Sequence, residues 1–151
     1  MVGKRFRYTA CGLDNVFLLN GFKLRSTPYG KAFSIDNIDG LHAAIGKRLI
    51  HERKTLSGKE IRFLRHELGM SQGTLAGLLG VDEQTVARWE KGQTGAGGPA
   101  DKMIRLLYAE KVGAKADIAR TLGHLAGLDK AAGRSLLFEE RGASWRAKRA
   151  A

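Results

Sequence analysis

Residues 56–92, LSGKEIRFLRHELGMSQGTLAGLLGVDEQTVARWEKG, decide the fold. Three short helices can be read in this stretch, each opened by its own cap. Ser57 with Glu60 three residues on makes a capping box, whose hydroxyl and carboxylate satisfy amides that the first turn leaves unpaired. The helix that follows carries Ile61, Phe63, Leu64 and Leu68 as an apolar stripe and stops at Gly69. Ser71 caps a second helix with Leu75, Ala76, Leu78 and Leu79 inward. It ends at Gly80, which can take the positive φ of a tight interhelical turn. Asp82 caps the third helix. Its Val86 and Trp89 face inward, leaving Glu83, Gln84, Thr85, Arg88 and Lys91 outside.

The residues from Ser71 to Gly92 carry a resemblance. Ser71-Gln72 opens the second helix, Leu75-Ala76 lines it, Gly80-Val81 makes the turn, Thr85-Val86 follows, and Trp89-Glu90-Lys91-Gly92 closes the run. The stretch resembles the helix-turn-helix of the phage Cro/repressor superfamily, also called the Xre family. The resemblance implies a lambda-repressor-like helical domain that binds double-stranded DNA. It further implies that Gln72 binds a phosphate and braces the recognition helix. Glu90 would pair with an arginine of the first helix, here Arg65, inside the domain.

The chemistry of the outward side chains supplies the remaining roles. Arg88 can form a forked hydrogen-bond pair to guanine O6 and N7, and Gln84 the corresponding pair to adenine. Glu83 can accept from cytosine N4, and the Thr85 methyl can touch a thymine methyl. Glu83 reads equally well as a stabilising charge at a helix N-terminus, and Thr85 as partly inward. Lys91 and Gln93 are candidates for contact with the DNA backbone.

The whole chain of 151 residues suffices for one domain or a small pair, and its hydrophobic content of 43% is ordinary for a globular protein. No apolar run approaches the ~20 residues of a membrane span. Met1 to Tyr8 is basic and aromatic, unlike a secretory leader, so a cytoplasmic location is expected. Cys11, the one cysteine, excludes an internal disulfide and a multi-cysteine zinc site. A net charge of +11 points to a polyanionic partner, although membrane-surface proteins share it. Its distribution is uneven. Residues 57–98 hold five basic and five acidic side chains, whereas residues 1–56 hold ten against four and residues 99–151 eleven against six. The flanks must then supply most of the attraction to phosphates.

The expected fold class is mainly α with a small N-terminal antiparallel β unit, divided as 1–36 (β-rich), 37–56 (amphipathic helix), 57–112 (helix-turn-helix domain) and 113–151 (C-terminal helices and basic tail). Residues 16–25 suggest a hairpin about Asn20-Gly21, with Leu19 opposite Phe22 and Phe17 opposite Leu24. After a turn at Pro28-Tyr29-Gly30, Ala32 to Ile35 would add a third strand. Asp36 would then open a helix through Ile38, Leu41, Ile45 and Leu49. Lys47, Arg48, Arg53 and Lys54 cluster toward its end, suiting the helix dipole or simply a solvated face.

A β-rich unit before such a motif also resembles antitoxins of the MqsA type, whose N-terminal unit binds zinc. The paired cysteines are absent, and His42, His51, His66 and His124 lack ligand spacing, so no metal and no cofactor is expected. QTGAGGPA, residues 93–100, reads as a connector, since it lacks the Lys-Ser/Thr ending of a nucleotide-binding loop. Pro99 suits the first turn of a helix through Met103, Ile104, Leu107 and Tyr108. Ile118, Leu122 and Leu125 form a narrow apolar line, facing either a partner subunit or their own domain. Residues 141–151 read as a basic tail, disordered unless bound. No nucleophile with a partner base and no paired carboxylates suggest an enzyme. The favoured function is a homodimeric regulator, acting as a repressor at a palindromic operator. The alternative is an antitoxin that binds a toxin protein and autoregulates its operon.

Overall fold

The computed structural model describes residues 5–113, 124–125, 127–128 and 135–148. They form two compact units, one of Gly46–Ala132 and one of Met1–Ile45 with Gly133–Ala151. Helix α1 (Ile38–Glu52) gives its first half to the second of these and its remainder to the first.

In the unit Gly46–Ala132, α1 is followed by α2 (Gly58–Glu67), α3 (Gln72–Leu79), α4 (Glu83–Glu90) and α5 (Gly98–Lys111). The caps explain the boundaries. The Ser57 hydroxyl accepts from the Glu60 amide and the Glu60 carboxylate from the Ser57 amide, completing the capping box. Ser71 Oγ accepts from the Thr74 amide, and Gly80, at φ 71°, ends α3 in the left-handed region. Asp82 stands at the N-cap of α4, but its side chain makes no capping hydrogen bond. Ile61, Leu64, Leu75, Val86, Ile104 and Tyr108 are buried between the helices. Burial, with the charge of Glu67 adding to it, pushes the Tyr108 phenol up to about 12.

Two expectations in this unit need correction. Leu78 is 55% exposed rather than inward. At about 100° per residue, Leu75, Ala76 and Leu79 share one arc of α3, and Leu78 falls outside it. Arg53 is not part of a solvated cationic face. It is buried, and its Nε donates to Glu60 Oε2 over 2.8 Å, so Glu60 serves both the α2 cap and the end of α1. A second buried pair fastens α5. Arg105 Nε donates to Asp101 Oδ1 (2.7 Å), while its terminal nitrogens donate to the Ile50 and Lys54 carbonyls. Asp101 Oδ2 accepts from the Leu56 amide. Ordered this way, the charges strand no buried polar atom.

The other unit is a four-stranded sheet in the order β1-β2-β5-β6, beside a two-stranded ribbon β3-β4. β1 (Phe6–Arg7) is antiparallel to β2 (Val16–Leu18), β2 is parallel to β5 (Leu136–Arg141), and β5 is antiparallel to β6 (Ser144–Lys148). Val16, Leu18, Leu136 and Phe138 alternate inward on the central strands. β3 (Phe22–Thr27) pairs with β4 (Gly30–Ile35) about the two-residue loop Pro28-Tyr29.

The expected hairpin at Asn20-Gly21 is therefore wrong. Gly21 does adopt positive φ, but the residues before it pair with β1 and β5, and Leu24 lies opposite Phe33. The Asn20 side chain accepts from the Glu140 amide (2.6 Å) and donates to the Glu140 carbonyl (3.3 Å), prolonging the β2–β5 pairing by one step. A strand 120 residues distant in sequence competes for these groups, and local turn chemistry cannot reveal it.

Nor are residues 141–148 a disordered tail, since Arg141 ends β5 and Ser144–Lys148 form β6; the rest of that expected tail, 149–151, lies outside the described residues. Trp145 is buried, and its indole Nε1 donates to the Asp36 and Asn37 carbonyls, each at 3.1 Å. Asn37, not Asp36, supplies the cap of α1, its Oδ1 accepting from the Gly40 amide. The units differ from a division at 36, 56 and 112 in that β5 and β6 join β1 and β2 in one sheet. The apolar line at Ile118 and Leu122 lies outside the described residues; Leu125, at its end, is buried.

Candidate nucleic-acid interface

The outward face of α4 is set by what its inner face buries. Val86 is 0% and Trp89 5% exposed, which turns Gln84 and Arg88, four residues apart, to solvent on the other side. Lys91 and Gln93 are exposed just beyond the helix, where the Gln93 amide closes back on the Arg88 carbonyl and the Gly92 amide on that of Trp89. These bonds make a Schellman ending that fixes the chain directly after Arg88. Thr85 is half-buried.

Glu83 is exposed, and a methyl group added at Gly73 would lie 3.5 Å from its Oε2. The carboxylate thus stands beside the first turn of α3, where free amide donors favour negative charge.

Behind this face, Arg65 reaches from α2 to the end of α4. Its Nε donates to Glu90 Oε2 (2.6 Å), one terminal nitrogen donates to Glu90 Oε1 (2.9 Å), and the other to the Met70 carbonyl (3.0 Å). The two-pronged contact is the strong form of the carboxylate–guanidinium pair. Gln72 Nε2, in the first turn of α3, donates to the same Glu90 Oε1 over 3.1 Å. One carboxylate therefore ties α2, α3 and α4 together. Burial pushes the Glu90 carboxyl up, but the hydrogen bonds from Arg65 and Gln72 and the charges of Arg65 and Arg62 outweigh it and hold the carboxyl below its usual range. Arg65 is raised in turn, chiefly by its hydrogen bond to Glu90.

Gly58 completes the clamp. It opens α2 so close to the end of α4 that a side chain there would strike the Trp89 and Glu90 carbonyl oxygens.

Residues 61–98 match the family model described as helix-turn-helix. They form a helix-turn-helix of the Xre type. The match begins inside α2 and ends at the start of α5, so this Xre-type element contains all nine sequence-predicted site residues, namely Arg65, Gln72, Glu83, Gln84, Thr85, Arg88, Glu90, Lys91 and Gln93. Neither the curated proteins nor the solved structures give a significant match to the chain. A helix-turn-helix of this kind is a DNA-binding regulatory element. Among the described residues no group of three or more His, Cys, Asp or Glu side chains could hold a metal ion, and no helix is long and apolar enough to cross a membrane.

The resemblance gave Gln72 a bracing role without its acceptor, which is Glu90, and sequence reasoning missed the buried Asp101–Arg105 pair. The pair was visible as opposite charges at i, i+4. The acceptor had no local signature.

Proposed function

We propose that the chain is a sequence-specific transcriptional regulator, a repressor that lays α4 in the major groove of its operator as a homodimer. Gln84 and Arg88 read base edges there, while Gln72, Lys91 and Gln93 hold the flanking phosphates. The observation that carries this reading is the exposure of Gln84 and Arg88 together on a helix whose opposite face is buried and whose end is clamped to α2 and α3. Helix-turn-helix proteins present bases with such a helix, and rigid support lets two side chains engage at once. Glu83 takes the helix-terminal role, and Thr85 contributes its methyl at the edge of the face.

The test is Arg88→Ala, which removes a forked donor from an exposed site and leaves the fold alone. Affinity for a site selected from random DNA should fall by ~1 to 3 kcal/mol, with discrimination relaxed at one base position per half-site and non-specific binding changed far less. Equal weakening on selected and random duplexes would make Arg88 a phosphate contact only.

A further inference from the structure

The β3–β4 ribbon is a part of the described chain that the helix-turn-helix leaves unexplained. From Asn15 to Ile35 the sequence has no Asp or Glu, and carries Lys23, Arg25 and Lys31. All three are exposed, and none makes an ion pair among the described residues.

The register sorts them by face. Lys23, Arg25 and Thr27 lie on one side of β3, opposite Ser34, Ala32 and Gly30 of β4. The cross-strand neighbours on this side are small, so the two cations stand clear of the ribbon. On the other face Phe22 stacks on Phe6 at 5.1 Å, and Phe33 meets Phe6 at 5.2 Å, anchoring the base of the ribbon to β1. Lys31 and the fully exposed Tyr29 mark the tip. Pro28 at the second position and Gly30 at the fourth suit a tight turn, and Thr27 Oγ1 ties it by donating to the Gly30 carbonyl and accepting from the Tyr29 amide.

We infer that this ribbon is a second DNA contact, in which Lys23 and Arg25 grip phosphates along one face and Lys31 and Tyr29 reach the duplex at the tip. A two-stranded ribbon fits the major groove, and a face with cations and no acid is complementary to the phosphate backbone. Lys23 and Arg25 are two residues apart, about 7 Å along the strand, close to the spacing of successive phosphates on one strand. Contacts of this kind hold the protein on the duplex without selecting its sequence. The inference rests on the DNA-binding reading above, and extends it to a region outside the matched family segment.

The experiment uses the full chain and a mixed-sequence duplex, with affinity measured by fluorescence anisotropy across a series of salt concentrations. The triple substitution Lys23→Ala, Arg25→Ala, Lys31→Ala should weaken binding to selected and random duplexes alike. It should flatten the log–log salt slope by up to ~2.7, from ~0.9 for each of three phosphates released. Photocrosslinking of the unsubstituted chain to a bromodeoxyuridine-containing duplex needs no variant. Trypsin should then yield Ser26–Lys31, cut after Arg25 and Lys31, bearing a nucleotide on Tyr29. An unchanged salt slope with no crosslink in that peptide overturns the inference while leaving the helix-turn-helix reading intact. Failure of the unsubstituted chain to bind any duplex overturns both. If polyglutamate, and not the duplex, loses affinity on the triple substitution, the ribbon's occupant is an acidic protein and the DNA assignment fails.

Discussion

Glu90 is the residue on which the helix-turn-helix turns, because one carboxylate accepts from both Arg65 and Gln72. A carboxylate next to a DNA-binding face looks misplaced until its burial is seen, with only 4% of the side chain exposed. Removing one member of such a pair strands the other, and Glu90→Ala should cost ~3 to 5 kcal/mol of stability. Thermal melting checks this, and unchanged melting with altered sequence preference would contradict the structural role. The sign of the pH effect follows from the depressed carboxyl. Its contribution is complete above the ordinary carboxylate pKa of about 4.3 and is lost as pH falls through the lower folded value. The melting gap between the unsubstituted chain and Glu90→Gln should therefore narrow as pH is lowered from 5 toward 3, values set by that carboxylate range. Pairing of Arg65 with Glu90 was legible through family resemblance. The bracing role of Gln72 was legible in the same way, but its acceptor, the Glu90 carboxylate, appears only when α3 and α4 are both in place.

At the scale of elements, the helices were legible because their determinants are local. Ser57, Glu60 and Ser71 announce the starts of α2 and α3, and Gly80 the turn between α3 and α4. Gly58 shows a limit, since its reason is the approach of α4 carbonyls from a segment some thirty residues on. The β elements were less legible for the same cause on a larger scale. β2 is paired in parallel to β5 across about 120 residues, and no turn motif records such a partner. The β3–β4 hairpin was legible in the turn at Pro28-Tyr29-Gly30, whereas Asn20-Gly21, with the chemistry of a tighter turn, does not join paired strands. Trp145 tests the revised view of the C-terminus. If residues 141–148 are sheet, Trp145→Ala removes a buried ring and a donor to two carbonyls, and should destabilise the chain by ~3 to 5 kcal/mol. A lower melting temperature and a loss of near-ultraviolet dichroism are the expected readouts. A solvated tail would leave both unchanged. Deleting 141–151 should likewise disrupt the sheet as well as remove positive charge, so the truncation does not isolate an electrostatic contribution.

For the whole molecule, the division of labour lies in the charge. The net +11 sits outside a neutral helix-turn-helix, so on the proposed reading most of the attraction to phosphates comes from outside the segment that discriminates among bases. That separation bears on stoichiometry. α4 has eight residues, about 12 Å of helix, and exposes two side chains, Gln84 and Arg88, proposed to read bases. At ~1 to 3 kcal/mol of discrimination for each good bidentate contact, one copy supplies ~2 to 6 kcal/mol, which reaches only the lower part of the ~4 to 10 kcal/mol that separates specific from non-specific binding. Two copies on one duplex double the number of contacts and carry the sum across that range. Their half-sites should lie about one helical turn, ~34 Å, apart, with the palindrome mirroring the twofold axis of the dimer. Selection from random DNA followed by footprinting should therefore recover an inverted repeat with that spacing, and light scattering of the complex should give two protomers per duplex. A single protomer protecting one asymmetric site would refute the dimer. Specificity would then have to come from side chains other than Gln84 and Arg88.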